Sequence, residues 1–250
     1  MVTWSETKVL GTDSYLYTII LYDDKGRIIQ VKSKNITSGT DITTTQNDWA
    51  GKPLIVLQKQ EQAILPVQTT VIVSKMYYDD LGRLIQTDKK IQNTNVNVNG
   101  NANALPATYT TISKLEYDAL GQLKKKTIGN KPTAPGTPLA NLDYEYNIRG
   151  WLLSINKDYI TADANTDRYF GMQLGYDKDA ALGTFVNKQF NGNISGSLWK
   201  SEGDKQQREY DFSYDAANRL TRGSFGQYVS GTGSAAVFNT SAGVDFSVDF

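Results

Sequence analysis

One heptad constrains this chain more than any other feature: Tyr-Asp-x-x-Gly-Arg-Leu. It occurs as Tyr22-Asp23-Asp24-Lys25-Gly26-Arg27-Ile28, as Tyr78-Asp79-Asp80-Leu81-Gly82-Arg83-Leu84 and as Tyr117-Asp118-Ala119-Leu120-Gly121-Gln122-Leu123. Looser copies are Tyr146-Asn147-Ile148-Arg149-Gly150-Trp151-Leu152 and Tyr214-Asp215-Ala216-Ala217-Asn218-Arg219-Leu220. A degenerate copy, Asn47-Asp48-Trp49-Ala50-Gly51-Lys52-Pro53, loses the Tyr and keeps the turn residues. The copies recur at irregular intervals, so the chain is not a solenoid of fixed period.

The heptad specifies a reversal of the backbone. Asp at the first turn position and Gly at the fourth are the preferences of a type I turn followed by a left-handed residue. That combination is the three-residue hairpin connection with a bulge. The aspartate opens the turn and accepts a local backbone N–H. Glycine enters the left-handed region without a Cβ clash. Asn218 stands where the other copies have Gly, and Asn is the other residue that tolerates this region best. If Asp79 faces Arg83, Tyr78 faces Leu84 and Tyr77 faces Ile85. The same rule pairs Tyr22 with Ile28, Leu21 with Ile29, Tyr117 with Leu123 and Glu116 with Lys124. Such cross-strand pairs are each worth about 0.2–1 kcal/mol. The Asp–Arg pair at the neck is expected to be exposed and weak.

The flanks read as strands over 15–22, 54–58, 69–78, 84–90, 109–117, 142–146 and 151–156. Further strands are expected over 168–176, 184–190, 197–200, 208–214, 228–230, 237–239 and 244–250. Polar stretches at 33–47, 93–106, 129–141 and 223–236 read as loops. No window sustains a 3.6-residue apolar period, so no long helix is expected. The fold class is all-β: consecutive antiparallel hairpins forming a curved sheet, taken as one elongated unit over residues 1–250. The last residues alternate like a strand and stop without a turn, so the chain reads as an internal segment of a longer protein.

Composition narrows function. There are 26 basic and 26 acidic residues in 250 and no Cys or His. Without Cys there is no thiolate nucleophile or disulfide; without His there is no Ser-His-Asp triad and no imidazole metal ligand. Balanced charge argues against nucleic acid as a partner, and no apolar run approaches the roughly 20 residues of a membrane-spanning helix. No cofactor, metal or catalytic residue is expected. Residues 1–10 lack the apolar core of a signal peptide, while the wealth of Tyr, Thr, Asn, Ser and Gly points to a secreted or cell-surface protein.

The repeated Tyr-Asp-x-x-Gly-Arg-Leu resembles the YD or Rhs repeats of bacterial Rhs and wall-associated proteins and of animal teneurins. The matching copies run from Tyr22 to Leu220. Two later segments, Arg168 to Tyr176 and Gln189 to Ser195, resemble stretches of Rhs proteins of Bacteroidetes-type bacteria. The resemblance implies a ribbon of hairpins curling into a shell that encloses a C-terminal effector polypeptide or serves as a rigid adhesion scaffold. This chain is too short to close such a shell. It also has no match to the Asp-Pro-rich cleavage core, so no self-cleaving activity is carried over. The implied partners are flanking repeats or an enclosed polypeptide, and an excised segment is expected to self-associate through sheet edges or its Tyr/Leu face.

Other motifs have plain structural readings. Gly231-Thr-Gly233-Ser-Ala-Ala236 matches a dinucleotide fingerprint but lacks a following helix. Asp163, Asn165 and Asp167 have the spacing of a calcium loop without its Gly and terminal Glu. Glu116 and Glu145 occupy equivalent repeat positions, and a glycosidase would need them in one cleft. Trp151 and Trp199 are expected in core or inter-hairpin packing. Trp49, at a turn tip, is the best single candidate for an exposed contact, a glycan among them.

Overall fold

The computed structural model describes residues 1–96, 104–134, 136–162, 167–178, 180–239 and 246–250. Among them are 17 strands paired antiparallel, with one short α-helix and one turn of 3-10 helix. The chain divides into two units, Met1–Lys114 and Leu115–Phe250, with the boundary inside a strand.

Unit 1 is a meander. It runs through β1 (Trp4–Lys8), β2 (Tyr15–Tyr22), β3 (Ile28–Lys34), β4 (Thr40–Asn47), β5 (Pro53–Gln62), β6 (Gln68–Tyr78), β7 (Leu84–Asn93) and β8 (Thr110–Tyr117), each paired with its predecessor. It is a single layer: among its described apolar residues only Val73 is buried. On β2, Leu16, Thr18, Ile20 and Tyr22 are half-buried while Tyr15, Tyr17, Ile19 and Leu21 face solvent.

Unit 2 continues from the end of β8 with β9 (Leu123–Ile128), β10 (Ala140–Tyr146), β11 (Leu152–Ile155), α1 (Lys157–Thr161), β12 (Phe170–Gly175), β13 (Gly196–Ser201), β14 (Gln207–Tyr214) and β15 (Leu220–Ser230). Both β16 (Val237–Asn239) and β17 (Val248–Asp249) return onto β15, at different points along it. This unit has a core. Ile160 of α1, Leu182 and Phe185 of the β12–β13 connection, and Leu198 of β13 are buried together, with Phe238 packed against them. On the face of β13–β15 that carries the alternate residues, Trp199, Tyr210, Phe212 and Phe225 form an aromatic run with neighbouring ring centroids 5.4–5.9 Å apart along the Tyr210 contacts.

Several expectations are corrected. Tyr77 pairs with Gln86, not Ile85, and Leu21 with Gln30, not Ile29. A bulge one residue beyond the turn adds an extra residue to the returning strand, a shift seen also at Glu145/Tyr146, Ser213/Tyr214 and Gln46/Asn47. Two consecutive apolar residues, such as Ile28 and Ile29, therefore oppose one partner residue. The stretch 33–47 is not a loop: it holds the end of β3 and all of β4, whose Thr-rich sequence suits a pleated surface without supplying apolar alternation. The stretch 223–236 continues β15 to Ser230, because its glycines admit neighbours; a Cβ at Gly226 would lie 2.9 Å from that of Phe238. Conversely, 184–190 is not a strand. Phe185 leaves the sheet and lays its ring over Gly175 and Gly196, where a Cβ would stand 2.1 and 2.2 Å from ring carbons. At the C-terminus the strand is confined to Val248–Asp249, residues 244 and 245 lying outside the described set.

Candidate functional site

The heptads are built as hydrogen-bonded clamps. In the Tyr78 copy, Gly82 N–H donates to Asp79 O at 2.8 Å and Asp79 N–H to Arg83 O at 3.0 Å, closing the turn. Oδ1 of Asp79 accepts the backbone N–H groups of Leu81 and Arg83, and Oδ2 accepts Arg83 Nε at 2.7 Å. The same three side-chain bonds recur at Asp23 with Lys25 and Arg27, and at Asp215 with Ala217 and Arg219. Asp118 accepts from Leu120 and Gln122, and Asn147 from Arg149 and Trp151. Gly26, Gly82, Gly121 and Gly150 have φ between 76° and 83°, and Asn218 has φ 61°.

Electrostatics follow from these bonds. The backbone N–H of Arg83 and then its guanidinium hold the Asp79 carboxyl below the ordinary carboxylate value, and Arg219 does the same for Asp215. At Asp23 the desolvation that would raise the value is outweighed by donors from Arg27 and Lys25. The Asp–Arg pairs of the first two copies are half-buried, better shielded than a free surface pair; Arg219 is exposed.

Strand alternation places the turns of Asp23, Asp48 and Asp79 on one rim of unit 1, because each follows an even-numbered strand of a meander. The same holds in unit 2 for the turns of Asp118, Asn147 and Asp215. Neighbouring turns interlock through the residue after the glycine. Arg27 Nη1 donates to Asp48 O at 3.0 Å and lies beside Gly51; the Lys52 ammonium occupies the space a Cβ of Gly82 would need, 1.7 Å away; Gln122 Nε2 stands 3.0 Å from the corresponding point on Gly150. The repeat tyrosines add a second tie. Tyr22 Oη donates to Val2 O, Tyr78 Oη to Pro53 O and Tyr214 Oη to Ile194 O, at 2.7–2.9 Å. Burial raises the phenol pKa of Tyr78, Tyr146 and Tyr214. The interlock joins residues of successive copies, so no single heptad displays it; the long polar side chain that follows the glycine in most copies is its signal in the sequence.

The remaining candidates are placed as follows. Trp49 is 86% exposed, with the Lys25 ammonium 3.1 Å from its ring centroid, so one indole face is covered by a cation. Trp199 is stacked on Tyr210, 5.6 Å between centroids. Asp163 and Asn165 lie outside the described residues; Asp167 accepts from Asn141 Nδ2. Among the described residues no group of three acidic side chains could hold a metal. Gly231 to Ala236 forms a 3-10 turn at Gly233–Ala235, not a helix. No helix among the described residues is long and apolar enough to cross a membrane.

Unit 2 contains a cleft of about 440 Å³ beside the Asn147 turn. Trp151 and Tyr176 form its wall, centroids 5.2 Å apart. Glu145 lines it but Glu116 does not, so the two repeat glutamates are not brought together there. The other unusual carboxyl is Glu209 on β14, buried with Oε2 unpartnered; desolvation, then the nearby Asp211, pushes its pKa up to about 8.

No family model matches the chain, and no curated protein is similar to it. Among solved structures, a porin-like protein from Bacteroides uniformis ATCC 8492 aligns over 98% of this chain and 91% of its own, at 10% identity and TM-score 0.29. A superposition that loose carries no argument about fold or function.

Proposed function

We propose that this chain is a non-catalytic wall segment of a YD-repeat scaffold, secreted or displayed at the cell surface, whose sheet face packs against flanking repeats or an enclosed polypeptide. The observation that carries the reading is the single-layer construction of unit 1, where Tyr15, Tyr17, Ile19 and Leu21 line one face of β2 uncovered. Apolar rows of this kind mark surfaces meant to be covered. The interlocked turns support it, because Arg27, Lys52 and Gln122 each reach the glycine of the following turn. The repeat aspartates are committed to backbone N–H groups and arginines, which suits a structural role for the heptad.

Sedimentation of the chain as it stands tests this. Concentration-dependent association is expected, and the double variant Ile19→Lys/Leu21→Lys is expected to lower it while leaving the far-ultraviolet β signal intact. A wild-type monomer at high concentration would count against the proposal.

A further inference from the structure

In the cleft beside the Asn147 turn an aromatic wall meets converging polar groups of both signs. We infer that it is a binding site for a neutral saccharide ring, independent of the scaffold role. Its volume, about 440 Å³, falls within the roughly 300–1,000 Å³ of small-ligand sites. The wall is the half-buried Trp151 indole, braced by the buried Tyr176 ring, whose hydroxyl donates to Leu152 O at 3.2 Å. Gly192 adds to the brace: a Cβ there would sit 3.1 Å from the indole, so the loop carrying it approaches the ring closely. Such a fixed aromatic surface suits the C–H face of a pyranose.

The polar groups decide the ligand class. Glu145 and Asp177 offer carboxylates and Lys157 and Lys178 offer ammonium donors around the same cleft, while the Arg149 guanidinium lies 5.0 Å from the Trp151 ring centroid and donates to Phe190 O. Ser154, buried in the floor, donates to Glu145 Oε2 at 2.8 Å and so steadies that carboxylate. Gln173, also buried, has its carbonyl engaged by Ala181 N–H, which leaves its amide N–H groups as donors. A singly charged ligand of either sign would meet like charge at part of this rim. A sugar hydroxyl both donates and accepts, so adjacent hydroxyls satisfy carboxylate and ammonium together. Trp49 offers less, since it stands exposed at a turn tip outside this cleft, with Lys25 3.1 Å from its ring centroid.

Isothermal titration of the whole chain with glucose, galactose, N-acetylglucosamine, cellobiose and maltose, preceded by a glycan array, tests the assignment. At least one of these is expected to bind with a dissociation constant of about 1 mM or tighter. Lys157→Ala and Asp177→Ala, both exposed side chains, should each weaken it by roughly five- to tenfold without moving the melting midpoint. Trp151→Phe should weaken it more, and Trp49→Ala not at all. Absence of binding to every sugar on the array and in the panel overturns the inference. So does a loss that follows Trp49 and ignores the two rim variants.

Discussion

The two units carry the same turn and make different bodies from it. In unit 1 the clamps at Asp23, Asp48 and Asp79 join strands of up to 11 residues into one layer, with Val73 the sole buried apolar residue among those described. In unit 2 the clamps at Asp118, Asn147 and Asp215 are chemically alike, yet Tyr159, Ile160, Phe185 and Leu198 are almost wholly inaccessible. The turn sets direction and register; it does not decide whether a sheet is covered. That is decided by the other connections. Helix α1, Leu182 and Phe185 of the β12–β13 connection and the return through Phe238 supply a second layer, whereas the turns from β2 to β3, from β4 to β5 and from β6 to β7 lead straight into the next strand.

The sharpest way to break this contrast is to empty the cover. Phe185→Ala removes a buried ring that fills the space above Gly175 and Gly196, and should destabilise unit 2 by ~4 kcal/mol. Ile19→Ala in unit 1, on the exposed face, should cost under about 1 kcal/mol. Urea titration of both variants, followed by tryptophan emission, compares them. Equal losses would mean that unit 1 hides a core of its own.

The same cover encloses Glu209. Burial pushes its carboxyl up to about 8, against an ordinary value of 4.5. A raised folded value means no penalty below pH 4.5, where both states are protonated; the penalty grows as pH rises and is complete above about pH 8. Glu209→Gln should therefore leave stability unchanged at pH 4 and raise it by ~2 kcal/mol at pH 9, a figure reduced from the full shift because water still screens part of the group. Melting curves of both proteins across this range check the sign. A constant difference at all pH values would show that ionisation of Glu209 is not the cause.

What the heptad encodes locally was legible in the chain: the opening carboxylate, the left-handed fourth residue with Asn218 as its substitute, and hence the positions of the reversals. What depends on partners distant in sequence was not. The bulge that moves Tyr77 from Ile85 to Gln86 arises between strands. Strand β4, Thr40–Asn47, is concealed by its polarity, since a one-layer sheet asks for β-branched residues without demanding apolar ones. Phe185 alternates like a strand residue but answers to glycines 10 and more positions away. Trp151 reads as packing from its place in a repeat, and its exposed side becomes evident only with Tyr176 and the 189–192 segment in position.

The smallest expected effects belong to the turns that both units share, and they test whether the clamp is one device. Asp79→Ala removes the acceptor of two backbone N–H groups and of Arg83 Nε, and should lower the melting midpoint by roughly 2–4 °C. Asp79→Asn should lower it less, because an amide oxygen still accepts both backbone bonds, as Asn147 does in unit 2. The pH dependence separates the two contributions. Because the folded carboxyl titrates below its unfolded value of 3.8, its ionic share of stability is present above that pH and disappears as the solution is acidified through the lower folded value. The wild-type and Asn proteins should thus converge in strongly acid solution, while the Ala variant stays below both, since a protonated carboxyl and an amide still accept N–H donors and a methyl group accepts none. The equivalent series at Asp215 of unit 2 should match in direction and order, for its carboxyl is held by the same pattern of donors. A clamp that mattered in one unit only would make the turn a product of its surroundings rather than the element from which both are built.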